Sequence, residues 1–246
     1  MKATVICHVF NEEYMLPFWL EHHKNVFDHG VIIDYRSTDA SVAAVRRICP
    51  DWEVRTSRNA MFDAAETDAE VMDVEASVPP KGIKMALNVT EFIFLPAGKS
   101  LRSYFPAGRA ACFRLEALTP VSFETKENPE TLGELLEGLR GARLVRGARM
   151  GHRFVHSHET GRYTVGRHAS ALESEAMPDG VTLLWLGFFP WNERVIARKL
   201  QIRANIPETD VQRRFEILEQ HTLTRAQLEQ RRHALCASEC VDSNAF

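Results

Sequence analysis

The chain has 246 residues, 45% of them hydrophobic and 26% charged, with a formal net charge of −3. That length supports a large core in one domain, or one domain with an appendage. The composition is that of a globular protein, the charge excludes nucleic-acid binding by bulk electrostatics, and no apolar run approaches the roughly 20 residues that span a bilayer. In chain order, Ala3 to Phe10 reads as a strand and Asn11-Glu12-Glu13 as a polar turn. A helix over 12–27 puts Leu16, Leu20, His23 and Phe27 on one face. Pro17 falls in its first turn, where the missing N–H costs least. A buried strand over 30–35 carries Val31-Ile32-Ile33 into Asp34. The loop Tyr35-Arg36-Ser37-Thr38-Asp39-Ala40-Ser41 then leads into a helix over 39–48, which Ser37 or Thr38 is expected to cap. Further strands are predicted at 52–57, 83–88 and 91–95 and a helix at 64–77, so this half alternates strand and helix as an α/β sheet does.

In such a sheet, ligands sit outside the carboxyl ends of the strands. The Asn-Glu turn and the Asp34 loop therefore put polar groups where a carboxylate can accept hydrogen bonds from ribose hydroxyls or a base edge. The alternative is that Asp34 and Asp39 only cap a helix N-terminus.

The pairing of Val9-Phe10-Asn11-Glu12-Glu13 with Asp34-Tyr35-Arg36-Ser37-Thr38-Asp39 resembles the family 2 glycosyltransferases. More narrowly, it resembles a bacterial branch whose first helix carries Leu-Pro-x-Trp-Leu-Glu-His-His, here Leu16 to His23. The resemblance implies a GT-A-like, Rossmann-related mixed sheet flanked by helices, with a helical C-terminal tail. It also implies that Asn11, Glu12, Asp34 and Asp39 hold the nucleotide of a nucleotide-sugar donor.

Glu66, Glu70 and Asp73 share one face of the helix at 64–77, and Val71, Val74 and Val78 another. Such a carboxylate stripe is ordinarily a solvated face; the other reading sets Asp63, Glu66 and Asp68 beside a cleft. Within Ile83 to Ile93 the resembling family has Asp-x-Asp-Glu-Phe, whose aspartates bind a divalent cation, Mg²⁺ or Mn²⁺, that bridges the donor diphosphate. Here Asn88 and Thr90 stand in the aspartate positions, while Glu91 and Phe92 persist. Losing two negative charges removes most of the attraction for a cation. Metal use is therefore open: Glu91 and His168 are the ligands if there are any, or cationic side chains take the diphosphate, or catalysis has been lost. Asn88 is assigned to the donor side. Glu91 is the first-ranked general base, ahead of Glu159, His156 and His158; a simple strand-end cap is the alternative for it.

Residues 98 to 190 are glycine-rich and predict short antiparallel strands and loops, with a helix opened by Thr131-Leu132-Gly133-Glu134. Gly151 to His168 holds four histidines and three arginines, and His156 and His158 alternate, so on a strand they face one side. Guanidinium and imidazole groups suit a pyrophosphate. The family's Gly-x-His element implies donor-phosphate or metal contacts for Arg167 and His168; a basic surface hairpin is the alternative. Pro190 to Ile202 is a basic amphipathic helix with Arg194, Arg198 and Gln201 on one face and Val195, Lys199 and Ile202 in the adjacent row. Arg198 and Lys199 match an Arg-Lys pair of the branch and are candidates for acceptor or phosphate binding. The alternative is a solvated face with Ile196 and Leu200 inward.

The tail carries capping-box patterns at Thr209-Asp210-Val211-Gln212 and Thr224-Arg225-Ala226-Gln227. Its apolar stripes, such as Val211, Phe215 and Leu218, suit a cap on the sheet or a homodimer arm. The domain expectation is a GT-A-like domain over 1–205 and a packed helical extension over 206–246. Five scattered cysteines and no leader-like start favour reduced thiols and a cytoplasmic setting, at most peripheral to the inner face of a membrane. No Gly-x-Ser-x-Gly elbow, phosphate loop or Gly-x-Gly-x-x-Gly supports a hydrolase, NTPase or NAD reading. The function implied is sugar transfer to a glycan or lipid-linked acceptor, with inversion expected over retention. The alternative is a non-catalytic nucleotide- or glycan-binding relic.

Overall fold

The computed structural model describes residues 1–79, 82–122, 128–146, 151–178, 180–208 and 223–241. Its first half alternates as the periodicity predicts: β1 (Ala3–Val9), α1 (Leu16–His23), β2 (His29–Asp34), α2 (Ser41–Ile48), β3 (Glu53–Thr56), α3 (Ala64–Ser77), β4 (Ile83–Ala86) and β5 (Glu91–Phe94). Then follow β6 (Cys112–Val121), α4 (Leu132–Arg140), β7 (Arg143–Arg146), β8 (His152–His156), β9 (Glu175–Ala176), β10 (Thr182–Trp185), α5 (Glu193–Gln201) and α6 (Arg225–Cys236).

The strand path is β3-β2-β1-β4-β8-β6-β10-β5, with β7 and β9 also on β6. The first four strands are parallel. β8 runs antiparallel to β4 and β6. The expectation of antiparallel pairing beyond residue 98 needs one correction: β10 and β9 both run parallel to β6. The result is a mixed α/β sheet flanked by helices. The path runs from β1 to β2 on one side and to β4 on the other, so the carboxyl end of β1 is a topological switch point, where open α/β sheets form their crevice.

Strands β1 and β2 are buried on both faces, which is why their sequence is a near-continuous apolar run rather than an alternation. Val5, Cys7 and Val9 face α1 with Trp19, Leu20 and Phe92, whereas Ile6, Val31 and Ile33 pack under Val71 and Val74 of α3. Each such side chain contributes about 1.5–3 kcal/mol of burial. Trp19 donates its indole N–H to the Glu91 carbonyl at 3.0 Å, tying α1 to the start of β5. Gly30 is required: a Cβ there would lie 2.1 Å from the Trp52 ring.

Thr224 and Gln227 form the complete capping box of α6. Thr131 caps α4, but Glu134 accepts from the Glu130 amide rather than closing the box. α6 is tied to the body by Trp191 Nε1–H to Glu229 at 3.0 Å and by Arg232 to the Ser122 carbonyl at 2.6 Å. The Thr209 capping pattern and the Val211, Phe215, Leu218 stripe lie outside the described residues. Among the described residues no helix is long and apolar enough to cross a membrane.

Candidate functional site

The two N-terminal motifs meet at the carboxyl ends of β1 and β2 and hydrogen-bond each other. Asn11 adopts a left-handed backbone (φ 50°), which asparagine tolerates better than most residues. Its amide donates to Ser37 Oγ at 3.0 Å, and its side-chain oxygen accepts from the Thr38 amide at 2.8 Å. The Glu12 amide donates to Ser41 Oγ at 2.8 Å, and the Glu13 amide to Asp39 Oδ2 at 2.9 Å. Asp39 Oδ1 takes the Ser41 amide at 2.9 Å, so both of its oxygens build the loop. Asp34 is buried and accepts from the Ser37 amide at 3.1 Å. The expected cap on α2 is not made: the helix starts at Ser41 behind Ala40, with no side-chain cap. Ser37 and Thr38 are spent on the Asn11 turn instead.

α5 closes one side of this turn. Arg198 donates to the buried Glu12 carboxylate, and Gln201 donates to the Asn11 carbonyl at 2.8 Å. Burial raises the Glu12 pKa, and the Arg198 charge and hydrogen bond oppose that rise. Lys199, expected in the row of Val195 and Ile202 beside the polar face, is fully buried, with its ammonium 4.2 Å from the Phe188 ring centroid and 5.3 Å from that of Trp185. Burial pushes its pKa well below the usual lysine value. The expected inward row was Ile196 and Leu200. Ile196 and Val195 are buried with Lys199, but Leu200 is exposed, because the buried stripe runs through positions 195, 196 and 199.

Behind β1 and β4 lies a buried ionic network. Glu91 accepts from Arg153 Nε at 2.9 and 3.0 Å and from Nη2 at 2.7 Å, and from the Asn88 amide at 2.8 Å and side chain at 3.0 Å. Burial would raise the Glu91 pKa, but the Arg153 charge and its hydrogen bonds outweigh burial and leave it lowered. Arg153 Nη1 also donates to His168 Nδ1 at 2.9 Å and to the Gly166 and Arg167 carbonyls. Arg167 is buried in a left-handed conformation (φ 58°). It donates to Asp68 and, at 2.8 Å, to Asn88 Oδ1. Burial, followed by the Arg153 charge, lowers the His168 pKa to about 4.

The structure sorts the α3 carboxylates differently from the solvated stripe. Glu66 is exposed and Asp63 is the N-cap, its side chain accepting the Glu66 amide. Glu70 is buried and holds Ser57 Oγ at 2.7 Å and the Arg58 amide at 2.8 Å. Asp68 and Glu75, seven residues apart, point into the protein and fasten the segment that follows β8. Asp68 takes Arg167 and the Gly166 amide. Glu75 takes Tyr163 Oη at 2.8 Å, His156 Nε2 at 3.1 Å and the Gly161 amide at 2.6 Å. His156 is therefore fully buried beside α3, whereas His158 is only half-buried and lies past the end of β8. Glu159 is exposed.

The motifs missed Arg153, Glu75 and Tyr163. A signal existed for two of them: Arg153 alternates with Val155 on a strand, and Asp68, Val71 and Glu75 fall at i, i+3 and i+7 on one helix face. A polar residue in an apolar row marks a buried pair.

A divalent cation does not fit this donor set. Glu91 and His168 are the two expected ligands, and the Arg153 guanidinium lies between them, bonded to both. Asn88 spends its oxygen on Arg167 and its amide on Glu91. Among the described residues, no cluster of three or more His, Cys, Asp or Glu side chains could hold a metal.

No family model and no curated protein matches the chain. Several solved structures share part of its trace, three of them as follows. TarS of S. aureus is 15% identical over 53% of this chain and 23% of TarS, with a TM-score of 0.37. The mannosyltransferase PcManGT of Pyrobaculum calidifontis, in complex with GDP-Man and Mn²⁺, is 14% identical over 83% of this chain and 61% of its own, with a TM-score of 0.40. HddC of Yersinia pseudotuberculosis is 8% identical over 80% of this chain and 97% of its own, with a TM-score of 0.38. The chain thus covers less than two thirds of the first two. Likeness at this level assigns neither substrate nor chemistry.

Proposed function

We propose that the chain is a GT-A-like glycosyltransferase that binds a nucleotide sugar at the carboxyl ends of β1 and β2 and passes the sugar to a glycan or lipid-linked acceptor. One observation carries the reading. Two loops that are far apart in sequence interlock at the ends of adjacent parallel strands, beside the crevice where β1 departs toward β4, and they bury Asp34 there. In this proposal Asp34 receives the nucleoside, while Asn11 and Asp39 shape its pocket. Glu12, Asn88 and Arg167 hold the neighbouring loops, and Arg198 and Lys199 close the side formed by α5.

The chemistry is displacement at the anomeric carbon: the acceptor oxygen forms a bond, the bond to the nucleoside diphosphate breaks, and the acceptor's proton goes to a base. Glu91 does not suit that base. Among the described residues, the hydrogen bonds of its carboxylate all go to Arg153 and Asn88, and its pKa is lowered. We assign it to positioning. We infer that binding does not need Mn²⁺, because guanidinium fills the expected cation position.

The test is a panel of UDP-, GDP- and CDP-sugars, scored for released nucleoside diphosphate with and without Mn²⁺. Release in at least one case, undiminished by EDTA, is expected. The second reading, a binding module without turnover, is favoured by the tied-up Glu91; it predicts nucleotide binding with no release under any condition.

A further inference from the structure

We propose that Arg153 is a positioning residue that fixes His168 as the neutral tautomer protonated on Nε2, making that ring a hydrogen-bond donor to an anionic oxygen and closing it to metal ions. A guanidinium has only donors, so the ring nitrogen it meets must accept. Arg153 Nη1 meets His168 Nδ1 at 2.9 Å, and the single proton of the neutral ring is left on Nε2. Nε2 makes no hydrogen bond among the described residues, and the ring is only half-buried. Coordinating a metal through Nε2 would move the proton to Nδ1, against an arginine N–H.

The lock is built from three sides. Glu91 holds the other edge of Arg153. Nη1 has two N–H groups: His168 Nδ1 at 2.9 Å is the nearest acceptor, and the His152, Gly166 and Arg167 carbonyls at 3.2–3.3 Å share the remaining donor capacity. Gly151 lies flat against the imidazole: a Cβ there would sit 2.4 Å from His168 Cβ and 2.8 Å from Nδ1. The identity of the acceptor rests on the proposed function, under which the oxygen belongs to the diphosphate of the nucleotide.

The experiment is ¹⁵N–¹H correlation spectroscopy of the full chain, labelled on histidine, at neutral pH, with His168→Gln used to assign the signal. Nδ1 unprotonated and Nε2 protonated is the expected pattern. Nδ1–H, or an imidazolium, would overturn the lock. Adding Mn²⁺ should not broaden the His168 signals selectively; selective broadening would overturn the exclusion of metal. Arg153→Lys, which keeps the charge beside Glu91, should release the ring to a mixture of tautomers. If that variant does not fold, the wild-type pattern alone decides. UDP and GDP are then titrated in. A nucleotide that binds by calorimetry and shifts the Nε2–H signal supports the donor role, and one that binds without shifting it overturns that role. If neither binds, the functional reading fails together with the diphosphate acceptor, while the tautomer result stands.

Discussion

Replacing Glu91 by alanine separates an anchoring carboxylate from a catalytic one. The Glu91–Arg153 pair has side chains only 1% and 5% exposed. Removing the acid would leave a guanidinium buried without its counter-charge. That costs about 3–5 kcal/mol in comparable buried pairs, and the freed Asn88 amide adds roughly 1 kcal/mol. For a chain of this length, each kcal/mol lowers the melting temperature by about 2–4 °C, so the expected fall is on the order of 10 °C. Urea unfolding and calorimetry measure it. Glu91→Gln keeps an acceptor and should fall between wild type and alanine. Combining Glu91→Ala with Arg153→Met removes both charges and should cost clearly less than the sum of the single changes. The pH dependence has a defined sign. The folded pKa is lowered from 4.5, so the pair's contribution is complete above that value and fades as pH falls below it. A Glu91→Ala protein within about 1 kcal/mol of wild type, yet devoid of turnover, would refute the anchor and restore the base.

Four further outcomes are expected. Asp34→Ala should weaken nucleotide binding by about 1–3 kcal/mol, the cost of one buried hydrogen-bonded carboxylate; calorimetry showing unchanged affinity in a folded variant would remove the nucleoside from this pocket. Because burial depresses the folded Lys199 pKa, wild-type stability should climb as pH rises toward the usual lysine value, and Lys199→Met, which keeps the packing on Trp185 and Phe188 without the ammonium, should lose that slope, as urea midpoints at neutral and alkaline pH will show. Burial first of all lowers the pKa of His22, His23 and His168, so the unfolded chain takes up protons below pH 6.5 that the folded one refuses. Stability should be full above that pH and fall by up to about 1.4 kcal/mol per pH unit per histidine below it; a flat profile from neutral to mildly acidic pH would contradict this. Gly151→Ala drives a Cβ into the His168 ring and should cost about 1–3 kcal/mol, read by thermal unfolding.

The first half of the fold was legible because β1 and β2 are apolar on both faces and the helices between strands keep a 3.6-residue period; β1 to β5 and α1 to α3 all appear near their predicted places. The Asn11 and Asp34 motifs were legible as a pair because both are loops at strand ends, and their side chains do meet. What sequence could not supply was the partner of each charge. Lys199 looked accessible to a phosphate or acceptor because it follows Arg198, but the aromatic rings that bury it come from Trp185 and Phe188. Glu91 looked like a base because Arg153 lies 62 residues away, on another strand. Glu70 looked like part of a solvated stripe, and Asp68 and Glu75 had no visible partner, because the segment those two fasten follows β8, more than 80 residues on.

Those pairings have a consequence for ligand binding. Three arginines near the crevice each have their own carboxylate: Arg153 with Glu91, Arg167 with Asp68, and Arg198 with Glu12. A diphosphate approaching them meets ion pairs, not bare positive charge, and at close range the field of a pair falls off faster than that of a cation. Recognition would then lean on neutral donors and on the nucleoside pocket. A nucleotide should accordingly bind with shallow salt dependence, its affinity changing only a few-fold between low and physiological ionic strength. A steep loss over that range, measured by calorimetry with UDP or GDP, would show that one of the three pairs opens to receive the phosphates. The variant Asp68→Asn, which frees Arg167 from its partner, would then be expected to bind the nucleotide more tightly than wild type.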